Sequence, residues 1–90
     1  MIFYHGTTEV QWAEIETEGI LWGRRGPYSR CTYLTTSKQE AMCHGDVLLE
    51  VVYEPGQTDE KDIPWDNYVE GCWQFRVYKP IPIQDVRRIQ

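Results

Sequence analysis

The segment from residue 47 to residue 53 constrains the fold of this 90-residue chain more than any other feature. Its sequence, Val-Leu-Leu-Glu-Val-Val-Tyr, is apolar at positions that face both sides of a strand. Such a strand is stable inside a sheet, where both of its apolar rows are removed from water. We therefore predict one domain over residues 1–90, with this strand in a central position of its sheet.

Further strands and helices are predicted on both sides of this segment. The predicted strands cover residues 2–5, 31–35, 73–78 and 83–89, the last as a short turn or edge strand, and the predicted helices cover 8–18 and 37–44. Gly6 is interpreted as a turn after the first strand, and Gly19 as the end of the first helix. Ser37 and Glu40 form a capping box, in which each side chain accepts a backbone N–H of the other residue.

Strands and helices mixed in this order, without a long helix between successive strands, predict the α+β class. In the first helix, Trp12 and Ile15 form the predicted buried stripe. Residues 54–64 are polar and contain Pro-Gly, so we predict an exposed connection there. In the strand over 73–78, Trp73, Phe75 and Val77 share one face, opposite Gln74, Arg76 and Tyr78.

The formal charge of −5 limits the classes of partner. A polynucleotide backbone needs a basic surface, so a protein partner is favoured over a nucleic acid. No apolar run approaches the length of a membrane-spanning helix, and the three cysteines, without a CxxC pair, fit reduced thiols. We expect a soluble, cytoplasmic protein with no membrane contact and no bound metal.

Three arginines fall within seven residues, among glycines and a proline that place them on a loop. They are Arg24, Arg25 and Arg30. Guanidinium groups in this setting either bind an anion or are solvated loop charges. We include them among the residues expected to contact a cofactor.

Three positions carry side chains suited to a binding site, and each also has a purely structural interpretation. His5, followed by Gly6, puts an imidazole beside exposed backbone amides at a strand end, or is a half-buried histidine bonded to a neighbouring strand. Tyr33 is a ring-stacking surface or a packed strand aromatic. Gln74 and Arg76 are ligand contacts or the solvent face of an amphipathic strand.

Taken together and in order, these positions resemble the ADP-ribosyltransferase-like superfamily, in its His-Tyr-Glu branch of diphtheria toxin and the poly-ADP-ribose polymerases. The matching segments are Phe3-Tyr4-His5-Gly6-Thr7-Thr8, Ala13-Glu14-Ile15 with Gly19-Ile20-Leu21, Thr32-Tyr33-Leu34-Thr35-Thr36-Ser37-Lys38 with Glu40-Ala41, and Gln74-Phe75-Arg76-Val77 with Lys79-Pro80-Ile81-Pro82 and Val86. The resemblance implies a small split, twisted β-sheet with two short helices and a cleft that holds NAD, the substrate of the transfer.

The resemblance also implies roles for individual residues. His5 would bind the adenosine ribose, the backbone of Gly6 the nicotinamide carboxamide, and the Tyr33 ring the nicotinamide face, with Thr7 beside them. The third family position, normally Glu, stabilises the positive charge that develops on the nicotinamide ribose. Here that position is Gln74, whose amide accepts a hydrogen bond but carries no charge and is no base. Glu70 takes the position only if the strand begins earlier or bulges.

Three functions remain open from the sequence. The first is a minimal mono-ADP-ribosyltransferase that modifies a macromolecule, with His5, Tyr33 and Gln74 in its cleft. One small domain of this kind would suit a phage or bacterial effector. The second is a non-catalytic module of the same fold that binds NAD or ADP-ribose, or that contacts a protein. The third is an RNA 2′-phosphotransferase, which the negative charge disfavours.

Overall fold

The computed structural model describes residues 1–23, 31–54, 60–62 and 74–90, with the backbone alone at 60–62, 74 and 75. The strands are β1 (Ile2–Thr7), β2 (Ile20–Leu21), β3 (Thr32–Thr35), β4 (Val47–Val52), β5 (Glu60–Asp62), β6 (Gln74–Val77), β7 (Ile81–Pro82) and β8 (Val86–Arg88). The helices are α1 (Glu9–Glu18), α2 (Lys38–Met42) and a 3-10 turn at Ile83–Asp85. This mixture confirms the α+β class.

Six strands form one antiparallel sheet in the order β5-β6-β3-β1-β4-β8, and β2 pairs with β7 separately. The strand predicted to be central is an interior one, since β4 is hydrogen-bonded to β1 on one side and to β8 on the other. The residues predicted as a final turn or edge strand form the 3-10 turn and the edge strand β8.

The two neighbours of β1 are joined to it very differently. On one side, which we call the closed seam, β1 pairs with β4 at every residue from Ile2, opposite Val52, to Thr7, opposite Val47. On the other side, which we call the open seam, β1 pairs with β3 only where Tyr4 lies opposite Thr35. The backbone ladder of the sheet is therefore interrupted beside the second half of β1.

The two faces of the sheet are covered by different helices. Phe3 of β1 is buried on the α1 face, in a core cluster that includes Ile15 of α1. The other core residues are Leu21, Leu34, Val47, Leu49, Val51, Val77 and Ile81. Of the predicted stripe, Ile15 is buried and Trp12 packs partly buried against this core. Because side chains alternate along a strand, Tyr4 and Gly6 face the opposite side, where α2 packs.

The helix ends follow local chemistry. The Thr8 side chain accepts the N–H of Gln11 at the start of α1, and Gly19 ends the helix in the left-handed conformation, with φ of 75°. At α2, the Ser37 hydroxyl accepts the N–H of Glu40, as the capping box predicts. The second predicted bond of the capping box, from the Ser37 N–H to the Glu40 carboxylate, is wrong, because the Ser37 N–H donates to Thr35 Oγ1 at 3.1 Å.

Other boundaries differ from the prediction. The first strand continues through Gly6 to Thr7, so Gly6 is a strand residue rather than a turn. The second helix is shorter than predicted and ends at Met42. The short strand β2 was not predicted, and Glu60–Asp62, expected in an exposed connection, forms an edge strand paired with β6. These short strands depend on pairing with distant residues, which no local pattern reports. No helix in the described part of the chain is long and apolar enough to span a bilayer.

Candidate functional site

His5 lies at the open seam. The half-buried imidazole places Nδ1 2.8 Å from the backbone carbonyl oxygen of Tyr33 in β3. The side chain thus contacts the neighbouring strand at a point where the backbone ladder between the two strands is missing. The expectation that the imidazole sits at a strand end beside backbone amides is wrong, because β1 continues past His5 and the contact is a carbonyl.

This contact fixes the chemistry of the ring. A carbonyl oxygen only accepts hydrogen bonds, so Nδ1 carries the hydrogen and donates it to Tyr33. Burial lowers the pKa of His5 below its usual 6.5, the hydrogen bond to Tyr33 opposes this effect, and the nearby charge of His44 adds to the lowering. The ring is therefore neutral at pH 7, and its Nε2 is a hydrogen-bond acceptor.

Gly6 lies directly under α2. A Cβ at this position would come within 1.7 Å of the carbonyl oxygen of Ala41 and 3.4 Å of the His44 Cβ. Only a residue without a side chain permits this approach, so the close packing of α2 on β1 is one reason for a glycine here. The same contact brings His44, an exposed residue just beyond α2, next to β1.

Tyr33 presents an aromatic surface to solvent on the α2 face of the sheet. It is 45% exposed, while its neighbours in β3, Thr32 and Leu34, are fully buried. Arg76 of β6 lies directly opposite it in the register. The ring is thus an exposed strand aromatic, of the chemical type on which planar groups stack.

A second aromatic ring lies near the same face. Tyr4 belongs to the α2 face of β1, and the ammonium of Lys38, the first residue of α2, lies 5.4 Å from its ring centre. This is a cation–π geometry. No role at the site was predicted for Lys38, although its place in the first turn of the capped helix was a signal for it.

Thr7 has a partner inside the protein. Its hydroxyl donates to Gln11 Oε1 at 2.7 Å, and the side chain is 2% exposed. This contact ties the end of β1 to α1. It gives the residue a structural role at the edge of the candidate site.

Gln74 begins β6, which lies next to the strand of Tyr33, β3. The backbone of Gln74 pairs with Thr35, and β6, β3 and β1 are consecutive in the sheet. His5, Tyr33 and Gln74 therefore lie on three adjacent strands. The remaining predicted positions, Arg24, Arg25, Arg30 and the alternative Glu70, lie outside the described residues.

The described residues offer no assembled metal site. No group of three or more His, Cys, Asp or Glu side chains in residues 1–23, 31–54 or 76–90 is placed to hold an ion. Cys31 and Cys43 are free thiols. Comparison of the chain with models of known protein families, with curated proteins and with solved structures gives no match.

Proposed function

We propose that this chain is a minimal NAD-dependent mono-ADP-ribosyltransferase that modifies a macromolecular acceptor. The observation that carries the proposal is the placement of His5 in the open seam, bonded to the carbonyl of Tyr33. It supports the split sheet that the resemblance implies, since β1 and β3 share one register pair. By alternation from Phe3, His5 belongs to the α1 face of β1 and the Tyr33 ring to the α2 face, so a ligand would contact both only by entering between β1 and β3 at the open seam.

The chemistry of the groups suits the two ends of NAD. Neutral His5 has Nε2 as an acceptor for a ribose hydroxyl, because Nδ1 is already a donor to Tyr33. The exposed ring of Tyr33 suits stacking on the planar nicotinamide. Arg24, Arg25 and Arg30 remain proposed contacts of the cofactor.

The proposed reaction transfers the ADP-ribose group. The glycosidic bond between the ribose and nicotinamide breaks, and its electron pair leaves with nicotinamide, which becomes neutral. The acceptor's nucleophile bonds to the ribose carbon and loses its proton. The net charge of −5 favours a protein acceptor over a nucleic acid. It also makes an RNA 2′-phosphotransferase less favoured than a mono-ADP-ribosyltransferase or a non-catalytic binding module.

A non-catalytic module that binds NAD or ADP-ribose is the second candidate. It is favoured by one feature, the neutral amide of Gln74 where the family carries a carboxylate. An amide accepts a ribose hydroxyl but does not stabilise positive charge as a carboxylate does. The two candidates share the binding site and differ in whether nicotinamide is released.

The deciding experiment incubates the protein with NAD labelled in its adenosine part and a cell extract. Label on a macromolecule, together with free nicotinamide, supports the transferase. Saturable quenching of tryptophan fluorescence by NAD without either product supports the binding module. A protein that neither binds nor cleaves NAD contradicts both.

Variants of the seam make the experiment specific. His5→Asn keeps a donor for the Tyr33 carbonyl but removes the acceptor at Nε2, so it should weaken NAD binding with little loss of stability. Tyr33→Ala should weaken it by removing the stacking surface. Glu14→Gln, an exposed change on α1, is the control. Equal NAD affinity in all three variants and the wild type would contradict this site.

A further inference from the structure

Glu40 differs from the other buried polar residues in the described part of the chain. The hydroxyls of Thr7, Thr32 and Thr35 each have a hydrogen-bond partner. Glu40 is 3% exposed, is the only residue of this group with an ionisable side chain, and has no hydrogen-bond partner at Oε2. A buried carboxylate oxygen without a partner is costly, and a ligand can supply the missing partner.

The usual local role of this side chain is taken by another residue. In a capping box the Glu40 carboxylate would accept the N–H of Ser37. In this chain Thr35 Oγ1 accepts that N–H, while Ser37 still caps the helix by accepting the Glu40 N–H at 3.1 Å. The helix start is therefore satisfied without the Glu40 carboxylate, which makes no bond in the cap.

Two hydrogen bonds and one strand pair connect Glu40 to Gln74, the residue at the third family position. Ser37, which bonds the Glu40 N–H, donates to Thr35, and Thr35 is the register partner of Gln74. The helix that carries Glu40 also packs on β1 at Gly6. Glu40 thus lies on the helix that follows the strand of Tyr33 in the chain and packs on β1.

We propose that Glu40 supplies the carboxylate that Gln74 does not, by binding the nicotinamide ribose of NAD and stabilising the positive charge that develops on it as nicotinamide leaves. This inference rests on the proposed function, since it assigns a role within the same reaction. It places the negative charge on α2 rather than on β6. Gln74 then contributes a hydrogen bond only.

The first test compares Glu40→Gln with Glu14→Gln, because each variant removes one negative charge. NAD affinity is measured by tryptophan fluorescence, and cleavage by the release of nicotinamide. We expect Glu40→Gln to bind NAD with an affinity within a few fold of the wild type and to release nicotinamide on the order of 10²-fold more slowly. Glu14→Gln should match the wild type in both.

The second test is a rescue. If Glu40 provides the charge missing at position 74, then Gln74→Glu in the Glu40→Gln background should restore most of the lost release. A helix defect caused by Glu40→Gln would not be repaired by a charge on another strand. Failure of the rescue, with NAD still bound, would overturn the proposal.

The third readout needs no ligand. Replacing a carboxylate whose buried Oε2 has no partner by a neutral side chain of similar size relieves its burial cost, so Glu40→Gln should raise the Tm of the free protein by roughly 4 °C or more. A lower Tm would assign Glu40 a structural role and contradict the proposal.

The outcomes separate the two levels of inference. Wild-type protein that cleaves NAD while Glu40→Gln cleaves it equally well overturns the role of Glu40 and leaves the transferase intact. Wild-type protein that binds NAD without cleaving it overturns the role of Glu40 and favours the binding module. Wild-type protein that does not bind NAD overturns both proposals.

Discussion

The two sides of β1, a strand of six residues, differ in how they are joined to the neighbouring strands. On the closed seam, β1 and β4 pair along their whole length, and Phe3 packs in one core cluster with Leu49 and Val51. On the open seam, a single register pair and the imidazole of His5 join β1 to β3. His5 and Tyr33, two of the residues proposed to contact a ligand, meet where the ladder is interrupted.

The largest expected effect tests the closed seam. Leu49→Ala removes a fully buried side chain directly opposite His5 in the register and should lower the free energy of unfolding by about 2–5 kcal/mol. Urea titration measures this loss. Val52→Ala, on the same strand but 55% exposed, should cost less than about 1 kcal/mol. Similar losses in both variants would show that the closed seam is not the main source of stability.

The next effect tests the packing of α2 on β1. Gly6→Ala puts a methyl group against the backbone carbonyl of Ala41, which has no rotamer to move away, and should cost at least the roughly 1–3 kcal/mol of an overpacked site. Gly19→Ala is the control, because nothing lies within 4 Å and only its left-handed φ opposes a side chain. It should cost about 1 kcal/mol. A smaller loss for Gly6→Ala than for Gly19→Ala would contradict the contact.

A smaller effect is expected from pH at the open seam. The pKa of His5 is lower in the folded protein than its usual 6.5, so the unfolded chain binds more protons below that pH. The contribution of neutral His5 to stability is complete above pH 6.5 and is lost as the pH falls from there through the folded-state pKa. Thermal unfolding between pH 7.5 and 5 should show this loss, and His5→Asn should reduce it. An unchanged pH dependence in that variant would contradict a buried neutral His5.

The smallest effect on stability is expected at Tyr33. Because its ring is 45% exposed, Tyr33→Thr should change the free energy of unfolding by less than about 1 kcal/mol while keeping a β-branched residue in β3. Thermal unfolding measures the change. A loss as large as that of Leu49→Ala would show that the ring is a core residue rather than a binding surface.

Local chemistry made part of this structure predictable. Gly19 and Ser37 act at helix ends through backbone freedom and a side-chain hydroxyl, and the structure confirms both positions. The α+β class follows from the order of the elements and is also confirmed. The strand β5 was missed because its pairing with β6 is a tertiary event.

The residues of the candidate site remain a prediction, and the sequence did not reveal their geometry. The sequence singled out His5, Tyr33 and Gln74, yet the bond between the imidazole and the Tyr33 carbonyl joins residues 28 positions apart and depends on how β1 and β3 meet. It also assigned the Glu40 carboxylate to the helix cap, because the pattern does not reveal that Thr35 takes the same N–H. Competition between two acceptors for one donor is decided by three-dimensional placement.

The closed seam also has a consequence for the time at which the sheet forms. Its pairs join residues 40 positions apart, at Thr7 and Val47, to 50 positions apart, at Ile2 and Val52. Contacts between such distant residues form only after a long loop has closed, which slows folding relative to local helices or hairpins. During synthesis β1 is made before β4, so the apolar side chains of β1 have no partner in β4 until residues 47–52 have been added.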